Sequence, residues 1–230
     1  MKRFWKDVAL AETEAGWGIS LDARALETPA RATLIVASRA LADAIAEEWR
    51  ACGDEIHPHQ MPLTGLANAA VDHVAPDPDK FRKALALYAE GDLLCYRADH
   101  PAKLIAAQAA AWDPVLAWAR TRFDAEFVVV AGIMHVPQPP ATIAALAAAL
   151  APASPFELAA LSPIVTLGGS LVTALALFES AIDLDKAWDV VTVDDRWQLD
   201  QWGADDEALA SLANRRADFA AAARFLTLLS

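Results

Sequence analysis

Cys52, His57 and His59 stand in a C-x4-H-x-H spacing, and thiolate and imidazole are the side chains that bind zinc. A closed tetrahedral site needs a fourth ligand at comparable spacing. None follows, so the trio reads as a solvated loop and no metal is expected. Gly168-Gly169-Ser170 has the glycines of a phosphate cradle, but it lacks a following lysine and a clear preceding strand. It reads as a helix break, and no nucleotide or other cofactor is expected. Asp194, Asp195, Asp200, Asp205, Asp206 and Glu207 are dense enough to pair for acid–base work. No histidine or glycine loop accompanies them, so most read as solvated faces and helix N-terminal turns, where negative charge suits the dipole. No catalytic residue is assigned. One alternative stays open, a small-molecule enzyme or other binding module around Asp92, Tyr96 and Arg97. It requires those side chains to face into a cleft rather than pair with each other.

The acids and three tryptophans lie in one helical pattern, Leu184 to Glu207. At about 100° per residue, Leu184, Trp188, Val191, Asp195, Gln198, Leu199 and Trp202 share a face. Val190, Val193 and Trp197 fall on the opposite side, giving a helix with two apolar sides, one of them available to a partner. Asp195 interrupts the first stripe, and a charge buried alone is expensive, so it is expected to have a partner. From Ala208 to Leu226, the residues Leu209, Leu212, Arg216, Phe219, Ala223 and Leu226 form another stripe with one cation in it. The expectation is two antiparallel helices joined by a buried Asp195–Arg216 pair.

Composition narrows the partners. The 19 basic residues are dispersed and outnumbered by 31 acidic ones, for a net charge of −12, which excludes a general nucleic-acid or anionic-membrane surface. A basic or mixed protein surface fits better. Two isolated cysteines, Cys52 and Cys95, fit a reducing compartment. The opening MKRFWKDVAL has neither a signal core nor an Arg/Ser-rich amphipathic pattern, so a cytoplasmic location is expected. No charge falls between Glu157 and Glu179, about the length that spans a bilayer, yet Pro163, Gly168 and Gly169 break the run. Buried soluble helices are expected there, with no stable membrane insertion.

The fold class expected is α+β. Arg3–Leu10, Gly16–Leu21 and Thr33–Val36 are short β-compatible segments separated by turn material, and they predict a small antiparallel sheet. Ser38 caps a helix whose apolar positions Leu41, Ala42, Ile45, Ala46 and Trp49 recur at helical spacing, with Gly53 ending it. That helix covers one face of the sheet. Past the loop His57–Pro62 everything reads as helix except Glu126–Ala131, where the apolar run Phe127–Val130 is β-like. Helices are expected to begin at Asp77-Pro78, His100-Pro101, Pro140, Ser154-Pro155 and Asp183, with Asp113-Pro114 restarting or kinking one of them. The expected organisation is a β-rich domain over 1–75 and a helical domain over 76–230, divided where Pro76 and Pro78 interrupt the pattern.

Taken in order, a series of strings resembles the assembly chaperones of the α subunit in the catalytic head of F-type ATP synthase. They are Arg3-Phe4-Trp5-Lys6, Leu21-Asp22-Ala23-Arg24 with Thr28-Pro29, Ala44-Ile45-Ala46-Glu47-Glu48-Trp49 and Met61-Pro62-Leu63-Thr64. Further along come Asp92-Leu93-Leu94-Cys95-Tyr96-Arg97, Gln108 with Trp112-Asp113-Pro114, Ala187-Trp188, Gln198, Trp202-Gly203-Ala204-Asp205-Asp206-Glu207 and Arg215-Arg216. The departure is Ala23, where the family pattern usually has glycine in the turn. The resemblance implies a bacterial, monomeric chaperone that binds the unassembled α subunit, shields its apolar β-subunit-facing surface from aggregation, and hydrolyses no ATP. It places the partner contact on Trp202 and the acidic segment Asp205, Asp206 and Glu207, and Trp197, from the second apolar side with Val190 and Val193, is expected to join it.

Overall fold

The computed structural model describes residues 2–203 and 205–229. The fold is α+β, and the chain divides into two compact units: residues 1–78 with 153–160 and 221–230, and residues 79–152 with 161–220.

In the first unit, β1 (Val8–Thr13) and β2 (Gly16–Leu21) form an antiparallel hairpin in the register Val8↔Leu21 to Thr13↔Gly16. The second edge of β2 is shared by β3 (Arg24–Ala25) at one end and β4 (Ile35–Val36) at the other. Gly16 is dictated by this arrangement, because a Cβ there would lie 2.4 Å from the Val36 carbonyl oxygen. The turn after β2 tolerates Ala23 because its left-handed residue is Asp22, at φ 55°. The Asp22 carboxylate accepts the Lys6 and Asp7 amides at 2.9 Å each. Those bonds, the Asp7 one first, hold its pKa below the ordinary carboxylate value.

Helix α1 (Arg39–Ala51) begins as its sequence dictates: Ser38 accepts the Leu41 amide at 3.3 Å, and Leu41, Ala42, Ile45, Ala46 and Trp49 are buried. Its Glu48 then caps α2 (Pro62–Ala69), accepting the Leu63 and Thr64 amides at 2.8 Å each. Trp5, Ile19, Leu34, Val36 and Leu63 complete a core to which later parts of the chain contribute Ala160 and Phe225.

The second unit is mostly helical. Its elements are α3 (Pro78–Ala86), α4 (Ala102–Phe123), α5 (Pro140–Ala149), α6 (Pro155–Gly168), α7 (Leu171–Phe178), α8 (Leu184–Val191), α9 (Val193–Trp202) and α10 (Asp206–Leu229). Two residues each of β5 (Tyr96–Arg97) and β6 (Val130–Ala131) pair in parallel. The β-like run 127–130 therefore yields only a two-residue strand. α6 and α10 belong to this unit only over 161–168 and 206–220.

Asp113-Pro114 does not interrupt α4, which runs through 22 residues with Gln108, Trp112, Val115, Leu116 and Ala119 buried along it. Packing of that stripe against α7, α8 and α9 overrides the local preference. The Glu157–Glu179 run is split between α6 and α7 by Gly169 and Ser170. Among the described residues no helix is long and apolar enough to cross a membrane.

Candidate functional site

The long pattern Leu184–Glu207 is three pieces rather than one helix. At Thr192 (φ −117°, ψ 17°) the hydroxyl donates back to the Trp188 carbonyl at 2.6 Å, ending α8 and restarting the chain as α9. Val190 and Val193 are buried, so the second apolar side expected for partner binding does not exist as an exposed patch. α4 takes up part of it: the Trp112 indole N–H donates to the Val190 carbonyl at 2.7 Å.

The break changes the phase of α9 against α10 and corrects the expected ion pair. Asp195 meets Arg215, at 2.8 and 3.3 Å, not Arg216. One residue along a helix is about 100° of rotation, so Arg216 points elsewhere, to Asp185 at 2.8 Å on the exposed surface. The Asp195–Arg215 pair is not deeply buried either; its side chains are 37% and 30% exposed. The Arg215 guanidinium also lies 5.5 Å from the Trp188 ring. The adjacent arginines were legible as a pair, but which one faces Asp195 depends on the helix break.

Trp197 and Trp202, five residues apart on α9, open onto different grooves. Trp197 is half-buried and lines a groove of about 400 Å³ with Ala107, Ala110 and Ala111 of α4. Trp202 is 80% exposed and stands at the rim of a groove of about 370 Å³ between α9 and α10. Leu199, Leu212 and the Asp195–Arg215 pair form part of that groove's lining. Asp205 also lines it and caps α10, accepting the Ala208 amide at 2.7 Å. Asp206 and Glu207 are exposed in the first turn of α10. None of these three acids has an ion-pair partner among the described residues. Ala204, within the same string, lies outside the described residues. The arrangement is an exposed aromatic beside uncompensated negative charge, with helices holding both in place; such a surface binds by burial and steering.

The other candidates resolve into structure. Arg97 donates to Asp113 at 2.7 Å and to the Leu94 carbonyl at 3.0 Å, with its guanidinium 5.0 Å from the Trp112 ring. Tyr96 shares a 3.1 Å hydrogen bond with His135. Asp92 is fully buried, accepting the Leu94 amide at 3.1 Å and the Val172 amide at 2.9 Å, which ties the segment before β5 to the start of α7. Burial outweighs these bonds and pushes its pKa up to about 6. Gln108 has a comparable linking role: its carbonyl accepts the Ala98 amide at 2.8 Å and its amide donates to Asp194 at 2.7 Å. The Cys52 thiol lies 3.5 Å from the Met61 sulfur, and desolvation raises its pKa. The rings of His57 and His59 lie 5.6 Å apart.

A family model described as ATP12 chaperone protein matches residues 2–120 of the chain. Over 219 residues the chain is 23% identical to the mitochondrial protein atp12 of Schizosaccharomyces pombe, covering 90% of this chain and 75% of that protein. The crystal structure of Atp12 from Paracoccus denitrificans is 42% identical, with a TM-score of 0.94 over 100% of this chain and 98% of its own. The Atu1473 protein of Agrobacterium tumefaciens is also 42% identical, with a TM-score of 0.95 over 100% of this chain and 86% of its own. With a family model spanning more than half of the 230 residues and two solved structures matching the whole of it, the chain belongs to the ATP12 chaperone family, the assembly chaperones its residue strings resemble.

Proposed function

We propose that this protein is an assembly chaperone of the F-type ATP synthase in a bacterial cytoplasm, and that it holds the unassembled α subunit until the β subunit takes its place. The reading makes it a binding protein with no catalytic residues and no cofactor. The observation that carries the site is Trp202, 80% exposed at the rim of the α9–α10 groove beside Asp205, Asp206 and Glu207. A large amphipathic ring supplies contact area at low conformational cost, and unpaired acids draw in a surface of the opposite sign. Trp197, on the neighbouring groove, adds a second aromatic contact. Membership of the ATP12 chaperone family supports this reading.

The test is capture of purified α subunit, with purified β subunit as the control. Reversing Asp205 and Glu207 to lysine is expected to slow association and flatten its salt dependence, with circular dichroism unchanged. Trp202→Ala is expected to act on dissociation, raising the rate about tenfold or more. Unchanged kinetics in both folded variants moves the contact off this groove, and failure of the unaltered protein to hold α removes the chaperone assignment for that subunit.

A further inference from the structure

Between α4 and α5 two adjacent large apolar side chains stand almost fully in solvent, Ile133 at 96% and Met134 at 79% exposure. They are the tip of a loop whose neck is pinned from both sides. The Val128 amide donates to the Gln138 side-chain oxygen at 2.9 Å, and the Gln138 amide returns a bond to the Val128 carbonyl at 2.8 Å. Gln138 is itself only 4% exposed, so a buried glutamine is committed to closing this loop. Below the tip, β6 pairs with β5, the Gly132 amide donates to the Arg97 carbonyl at 2.8 Å, and Tyr96 bonds His135 at 3.1 Å. Val128 and Val129, in the same loop, are also partly exposed, at 36% and 40%.

Water gains nothing from a tip of this composition, and most exposed loop tips are polar. A loop held in one conformation before binding loses little entropy when a partner closes over it, which is the condition under which two side chains contribute strongly to holding a complex. Two side chains also fall far short of the roughly 800 Å² per partner of a stable interface, so the tip suits a plug in a socket within a larger contact and not a face for self-association. Resting on the chaperone reading above, we propose that Ile133 and Met134 form a preformed apolar plug that seats in an apolar socket on the folded client, and that it governs how long the client is held.

The probe is purified ATP synthase α subunit. In the Ile133→Ser, Met134→Ser double variant, dissociation is expected to accelerate about 10- to 100-fold while association and its salt dependence stay as they were. The Ile133→Leu, Met134→Leu variant is expected to keep the original rate. A photo-crosslinking residue at position 133 of the otherwise unaltered chain is expected to link to α. An unchanged dissociation rate in the folded serine variant overturns the plug and leaves the chaperone reading standing. Crosslinking only to a second copy, or a concentration-dependent dimer abolished by the serines, overturns it in favour of self-association. If the unaltered chain does not bind α, both fall together.

Discussion

At the residue scale, a one-position error in a helix separates a structural pair from a surface ornament. Asp195 and Arg215 meet at 2.8 Å with about a third of each side chain exposed, whereas Asp185 and Arg216 meet at the same distance with 79% and 55% exposed. Solvent screening leaves the first pair worth about 1 kcal/mol and the second close to zero. Double-mutant cycles in urea are expected to return that difference, and equal coupling energies would contradict the assignment. Asp92 supplies a second residue-scale prediction. Its folded pKa of about 6 lies above the ordinary 3.8, so the folded state holds the proton more tightly. The contribution is full below pH 3.8 and is lost as pH rises through about 6, a swing on the order of 3 kcal/mol. The stability advantage of the natural protein over Asp92→Asn is therefore expected to shrink from pH 4 to pH 7; parallel profiles would show that Asp92 does not titrate there.

At the scale of elements, breaks matter as much as helices. Gly169 ends α6 at φ 66°, donating its amide to the Val165 carbonyl at 2.8 Å and accepting the Leu93 amide at 3.0 Å. A side chain in that left-handed conformation costs about 1 kcal/mol, and asparagine bears it better than alanine. Gly169→Ala is expected to lower the urea midpoint accordingly, with Gly169→Asn falling between it and the natural protein; an unchanged midpoint for alanine would mean the join relaxes. The Thr192 break has a different origin. No glycine or proline marks it, and it arises where Trp188, Val190, Val191 and Val193 all find burial, which one straight helix could not provide on a single face.

For the whole molecule, the net charge of −12 bears on how the proposed α-subunit partner would be met. Long-range attraction raises association rates at low salt and fades once the Debye length shrinks below about 10 Å. Association with α subunit is expected to fall about tenfold between 20 mM and 500 mM salt. If the proposed Trp202 contact holds the complex, dissociation is expected to change little. Stopped-flow measurement across that range separates the two, and a salt-independent association rate would remove electrostatic steering from the account.

What the sequence determined by itself was local: the Ser38 cap and buried stripe of α1, the strand Gly16–Leu21, the helix starts at Pro78, Pro140, Pro155 and after Asp183, and the breakers that divide 157–179. Each rests on a hydrogen bond or an apolar period within a few residues of chain, so type and spacing carry it. Tertiary structure alone decided that Asp195 takes Arg215, that Asp92 holds Val172 from 80 positions away, that Val190 and Val193 are covered, and that Ile133 and Met134 are not. Those outcomes depend on which distant surface arrives at a given side, and no local period encodes that.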